Sequence, residues 1–159
     1  IEQEAPDFQT GKYLLPIPNE SNKHVLQISG TSIEVGFVNL GNPHVVFFST
    51  DINEKPLAKW GKKLQHSEWF PQGVNVGLAE ILSRNSIKLR VYERGVGETL
   101  ACGTGACAAV VLGNQQGLLD QNVEVIFKKG NLSIKYVLES GQLIARGTAH
   151  FLQELKISI

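Results

Sequence analysis

The chain has 159 residues, with fifteen Lys and Arg balanced by fifteen Asp and Glu, and it contains four His, two Cys and no Met. That length supports one domain with a sizeable core, and a formal charge of zero without a basic run removes the electrostatic footprint of a nucleic-acid binder. There is neither an apolar run of roughly eighteen residues, as a membrane span needs, nor a signal-like leader; the expectation is a cytoplasmic protein that makes no contact with membrane or nucleic acid, and whose Met-free sequence does not start naturally at Ile1.

Residues 1–22 are rich in Pro and polar side chains and read as a lead-in segment, with Tyr13-Leu14-Leu15 as a short strand. Two runs of alternating apolar and polar residues, 24–29 and 32–39, flank Gly30-Thr31 and predict a hairpin. Gly41-Asn42-Pro43-His44 then leads into the apolar run 45–48, which places Asn42 and His44 at a strand entrance, where side chains often face a cleft. Read without context, they are a turn Asn and a His satisfied by the fold. Pro56 precedes Leu57, Trp60, Gly61 and Leu64 at helical spacing, an amphipathic helix with lysines on its solvent face. Residues 70–73 make a turn, and 74–82 form a strand carrying Asn75, whose plain alternative is an edge-strand amide.

From Ser86 to Glu93 the period of two returns, and a Gly-rich stretch then breaks it before a helix over residues 105–116. Ala106 to Leu112 are apolar all round and mostly small, so this helix is expected to be surrounded by protein. Three strands follow, over 123–128, 131–139 and 143–147, and 151–159 reads as a last one. Sheet on both sides of one fully apolar helix predicts an α+β domain, a mostly antiparallel sheet wrapped as a barrel around that helix.

Cys102 stands just ahead of the helix, where unpaired backbone N–H groups and the positive end of the macrodipole favour an anion. A thiol in that position can ionise well below its usual value of about 8.5, and the amides of Gly103, Thr104 and Gly105 can grip a substrate carboxylate. Cys107 lies five residues on, about 7.5 Å of helical rise, too far for a disulfide without backbone movement, and reads as a small core residue. No second Cys/His pair completes a zinc site.

The stretch Glu93-Arg94-Gly95, Gly97-Glu98-Thr99 and Ala101-Cys102-Gly103-Thr104-Gly105-Ala106-Cys107-Ala108 resembles the second-cysteine signature of diaminopimelate epimerases, racemases that work without pyridoxal phosphate. Gly41-Asn42-Pro43-His44-Val45-Val46 and Gly73-Val74-Asn75-Val76 with Ala79-Glu80 fit in the family's order, and residues 1–6 with Ile17-Pro18 resemble the start of its second domain. The resemblance implies a cofactor-free epimerase that interconverts the LL and meso forms of diaminopimelate, an activity of lysine and peptidoglycan-precursor biosynthesis. It assigns Cys102 as one of two acid–base cysteines, Glu93 to the substrate's α-ammonium and, with His44, to tuning the thiol, Gly103 and Thr104 to the α-carboxylate, and Asn42, Asn75 and Arg94 to the far amino-acid end.

One departure stands out. The family's first cysteine belongs to a preceding domain with its own Cys-Gly-Asn-Gly motif, which is absent here. The whole chain, 1–159, is therefore expected to be the C-terminal half of a two-domain enzyme, inactive by itself, partnered by the missing N-terminal domain and compatible with a homodimer; residues 148–159 are a strand that belongs with that first domain. Two other readings stand beside it: a proline or hydroxyproline racemase half, disfavoured by Arg94 and the two asparagines because proline has no far charged end, and an inactive amino-acid-binding or assembly domain.

Overall fold

The computed structural model describes residues 2–3, 5–8, 13–16 and 23–147. The strand over 151–159, its place with a first domain over 148–159 and the family-like Ile17-Pro18 lie outside the described residues, as do positions 1 and 4 of the family-like segment 1–6.

A mixed, ten-stranded sheet dominates, with two α-helices on its faces. In chain order the elements are β1 (Glu2–Gln3), β2 (His24–Ile28), β3 (Thr31–Asn39), β4 (Pro43–Phe48), a 3₁₀ turn (Ile52–Glu54), α1 (Leu57–Gln65), β5 (Asn75–Ser83), β6 (Ser86–Glu93), β7 (Gly97–Thr99), α2 (Gly103–Gln115), β8 (Asn122–Phe127), β9 (Gly130–Val137) and β10 (Gln142–Gly147). The strands lie in the order β1-β10-β9-β8-β6-β5-β4-β3-β2, with β7 folded back on β6. Most pairs are antiparallel, as expected; β4 with β5 and β6 with β8 are parallel. The β2–β3 turn falls at Ser29-Gly30, one residue earlier than expected, with positive φ at both positions (54° and 82°), the type I′ geometry that matches strand twist.

The predicted barrel is not a closed one. The strand path is open, ending at β1 on one side and β2 on the other. An antiparallel bridge between Asp7 and Asn39 links the lead-in segment to the end of β3 through two backbone hydrogen bonds of 2.9 and 2.7 Å. Among the described residues the edge of β2 away from β3 has no strand partner, so the sheet order does not close. The helix α2 nevertheless touches β3 to β6 as well as β9 and β10, so strands from both arms of the sheet flank it.

Why these residues take these places follows from their pattern. In β3 to β5, Val38, Val46 and Ala79 face α2, and Phe37, Val45, Phe47, Val76 and Leu78 face α1. Strands covered on both faces lose the polar alternation of a half-exposed sheet, which is why 45–48 reads as a continuous apolar run. Residues Ala106 to Gly113 are fully buried or nearly so, and their small side chains let the sheet approach the helix axis from several directions. On the other face, α1 buries Leu57, Gly61 and Leu64 and turns Lys62 and Lys63 outward. Tyr13 is not in a strand; its ring joins Phe37 and Phe70, at centroid distances of 5.0 and 5.9 Å, and the backbone of Leu14 donates to Trp69 O. No helix among the described residues is long and apolar enough to cross a membrane.

Candidate active site

The site is assembled where β6 ends, β7 turns back and α2 begins. Cys102 is the N-cap of α2, with extended φ and ψ (−146°, 114°), and its carbonyl accepts the first helical bond from Ala106 N at 2.9 Å. Its side chain makes no capping hydrogen bond; Sγ lies 3.6 Å from Thr104 Oγ1. That approach requires glycine at 105, because a Cβ there would fall 3.0 Å from Val91 Cγ2 and 3.3 Å from Cys102 Sγ. Above the first turn the opposite holds. Gly103 is exposed, and a Cβ on it would meet nothing within 4 Å, so the first turn, whose N–H groups have no partner within the helix, has open space beside it.

Electrostatically the thiol differs from the expectation of a lowered ionisation. Burial pushes the Cys102 thiol up, and it outweighs the opposing influence of the Thr104 hydroxyl and the Gly105 N–H; the charge of the Glu93 carboxylate pushes it further the same way. A helix start favours an anion only to the extent that water or dipoles replace lost solvation, and at 7% exposure the lost solvation is larger. Cys107, fully buried in the α2 cluster, is pushed by burial to about 11. Both cysteines are free thiols.

Glu93, half-buried at the end of β6, is fixed through several atoms. Its Oε1 accepts from Thr99 Oγ1 at 2.6 Å, and its carbonyl accepts from Gln65 Nε2 at 2.9 Å and Val96 N at 3.2 Å. The next residue, Arg94, is held through its backbone, whose N–H donates to Asn75 Oδ1 at 2.9 Å, while Asn75 Nδ2 donates to Pro43 O at 3.2 Å. Asn75 therefore ties β4, β5 and the end of β6 together. His44 sits opposite it in the parallel register, fully buried, with its Nε2 donating to Asn42 Oδ1 at 2.9 Å. Burial, aided by the Arg94 charge, lowers His44 to about 3, which leaves the ring neutral. The Arg94 side chain lies along Gly73, donates to Gln72 O at 3.4 Å and is otherwise exposed.

The fold thus brings together what the sequence had spread over sixty-odd positions. Asn42 bonds His44, and Asn75 bonds the Pro43 carbonyl and the Arg94 N–H; Thr99 bonds Glu93, and Thr104 lies against the Cys102 thiol with Gly103 between them in the chain; the Glu93-Arg94 peptide joins the two sides. The hydrogen bond of His44 goes to Asn42, and the Cys102 thiol is acted on by Thr104, Gly105 and Glu93. Sequence reasoning missed β7 and the partners it and α1 supply, Thr99 and Gln65. The signal for β7 was faint: Gly97-Glu98-Thr99 is too short to show a period, and only the glycines before it hinted at a reversal.

Residues 36–152 match the family model of diaminopimelate epimerase. The chain is 44% identical over 132 residues to a diaminopimelate epimerase of Nitrosomonas eutropha, an alignment that covers 83% of this chain and 48% of that protein. Against the diaminopimelate epimerase of Thioalkalivibrio sulfidiphilus the identity is 47% over 124 residues, covering 77% and 45%. The chain therefore spans about half the length of the curated relatives it matches. Among solved structures, a methylitaconate-delta-isomerase superposes with a TM-score of 0.57 at 14% identity, over 91% of this chain and 54% of that one, which shows a shared fold. With a family model matched along most of its length, the chain belongs to the diaminopimelate epimerase family.

Proposed function

We propose that this chain is the second-cysteine half of a diaminopimelate epimerase, completed by a first domain that carries the opposing cysteine. The observation that carries the reading is the mouth of α2, where the Cys102 thiol, the Glu93 carboxylate and the open N–H groups beside Gly103 meet. Inverting an α-carbon requires a base on one face and an acid on the other. In one direction the Cys102 thiolate takes the α-proton and becomes a thiol, while the thiol of the first domain gives its proton to the opposite face; the reverse reaction exchanges the roles.

The carbanion's charge spreads onto the α-carboxylate, where the N–H groups of Gly103 and Thr104 supply preorganised stabilisation. Glu93 receives the α-ammonium. Arg94, exposed and with a fork of donors, takes the far carboxylate, and Asn42, His44 and Asn75 hold that side in shape through the bonds described above. His44, being neutral, brings no charge to the site. The chemistry needs no cofactor. In the assembled enzyme the two arms of the sheet close around α2; the support for closure is the contact of both arms with that helix and the Asp7–Asn39 bridge. Small-molecule substrate and first domain are the partners, and a homodimer is compatible with both.

The test is to follow epimerisation of diaminopimelate in D2O, with α-proton exchange as the readout, for the chain alone and for the chain mixed with a separately produced first domain. Negligible turnover alone and restored turnover on mixing is the expected result, since water is a poorly placed substitute for the second thiol. Substantial turnover by the chain alone, abolished by Cys102→Ala, would show that the site is not a half-site.

A further inference from the structure

The strand β7 carries Thr99 to the site, yet little apolar packing holds it down. It is three residues long, none of its residues is fully buried, and Val96 and Leu100 on either side of it are exposed. Its register on β6 pairs Val91 with Thr99, Tyr92 with Glu98 and Glu93 with Gly97. Val91 belongs to the α2 cluster and Tyr92 packs against the α1 cluster, so by strand alternation Thr99 and Glu93 face α2 while Glu98 and Arg90 face α1. On the α2 side Thr99 Oγ1 donates to Glu93 Oε1 at 2.6 Å. On the α1 side the Arg90 guanidinium spans three elements: Nε and Nη2 donate to Glu98 Oε1 and Oε2 at 2.7 and 2.9 Å, and Nη1 donates to the carbonyls of Ile52 and Lys55 at 2.5 and 3.1 Å. One planar group thus fastens β7 both to β6 and to the 3₁₀ turn that leads into α1, with the two side chains of the ion pair 23% and 34% exposed. A fork that fills both oxygens of a carboxylate fixes orientation as well as distance. A slip of one residue would carry Glu98 to the α2 face and Thr99 to the α1 face, breaking both pairs at once. The Arg90–Glu98 fork and the Thr99–Glu93 bond therefore select the same register from opposite faces of the hairpin.

We propose that Arg90 is a positioning residue for the amino-group end of the site: by fastening Glu98 it holds β7 in the register in which Thr99 fixes the Glu93 carboxylate for a substrate ammonium. This rests on the reading of Glu93 as the receptor of the α-ammonium. Gln65 and Val96 bind the backbone carbonyl of Glu93, whereas Thr99 acts on its side chain. Without the Arg90 fork, β7 is left to its short backbone ladder and frays from β6. Thr99 then leaves its partner, and the half-buried Glu93 side chain regains rotamer freedom.

The experiment is an NMR measurement, on the full chain labelled with ¹³C and ¹⁵N, of the three-bond couplings from the Thr99 methyl carbon to its backbone nitrogen and carbonyl carbon, which report whether Thr99 keeps one χ1 rotamer. The unaltered chain should show a single rotamer, and Arg90→Gln and Glu98→Gln the averaged couplings of a side chain that has lost its partner. Arg84→Gln, which breaks the exposed ion pair with Asp120, should change nothing at Thr99. Arg90→Lys should not restore the single rotamer, because one ammonium cannot reproduce the planar fork. A pair that merely stabilises the fold would lower the urea midpoint and leave the couplings of the folded chain as they were; that result overturns the proposal, as does full rescue by Arg90→Lys. Should Arg90→Gln unfold the chain, Glu98→Gln, which keeps the carbonyl bonds of Arg90, carries the comparison. In the chain mixed with its first domain, Arg90→Gln should raise the KM for diaminopimelate about tenfold, on the scale of one charge-assisted hydrogen bond, and Thr99→Val should add little to it; fully additive effects overturn the route through Thr99. The couplings need no substrate, so they decide the link from Arg90 to Thr99 separately from the functional reading, which epimerisation decides.

Discussion

Two thiols five positions apart on one helix occupy opposite kinds of environment. Cys107 is enclosed by β-sheet and small helical neighbours, and burial is the largest influence on it. Cys102 is also mostly out of water, yet it lies against the Thr104 hydroxyl, it feels the Gly105 N–H and the Glu93 charge, and the next residue opens onto free space. Burial is therefore not what separates a structural from a functional cysteine here. The difference lies in the polar groups that share the burial, and in an open path for a ligand on one side.

The largest effect that could break this contrast is on turnover. In a two-domain enzyme carrying this half, Cys102→Ala should lower kcat by about a thousandfold or more, the scale of losing an essential acid–base group, while Cys107→Ala should stay within a few-fold. Steady-state kinetics on both variants check it, and comparable losses would erase the distinction. The same contrast has a stability counterpart. Leu112→Ala, at the sealed end of α2, should cost about 2–5 kcal/mol by urea denaturation, whereas Gly103→Ala, with open space around it, should change stability by less than about 1 kcal/mol.

Acid sharpens the comparison on the β4 side of the site. Unfolded His44 titrates near 6.5 and the folded ring near 3, so between those values the unfolded chain binds the extra proton and stability falls as pH falls. From pH 7 to pH 4.5 the loss assigned to His44 is about 2–3 kcal/mol. Denaturation curves at the two pH values should show it, and His44→Gln should flatten that part of the profile. A smaller effect concerns selectivity: Arg94→Ala should narrow the kcat/KM ratio between diaminopimelate and an amino acid lacking the far carboxylate by roughly tenfold or more, the worth of a charged hydrogen bond. An unchanged ratio removes Arg94 as the far clamp and favours the proline-racemase reading.

Much of this arrangement was legible in the sequence because its signals are local. The period of two in 86–93 and the all-apolar run 106–112 became β6 and the core of α2, and the Cys-Gly-Thr-Gly turn fell at the helix start. What was not legible depends on contacts distant along the chain. The open strand path depends on how β1 and β2 meet the rest of the sheet. Thr99 and Gln65 matter only because β7 folds back and α1 packs beside β6. The sign of the Cys102 shift was misjudged for a related reason: a helix start is visible in sequence, but the depth of burial and the reach of Glu93 are tertiary facts.

The central claim is that Cys102, and not Cys107, is the thiol offered to a ligand, and timed alkylation of the folded chain with peptide mapping by mass spectrometry tests it most directly. The account predicts that Cys102 is modified first, at a rate that climbs with pH to a midpoint above that of an ordinary cysteine, while Cys107 is modified only on unfolding. Equal labelling of the two cysteines in the folded chain would contradict it.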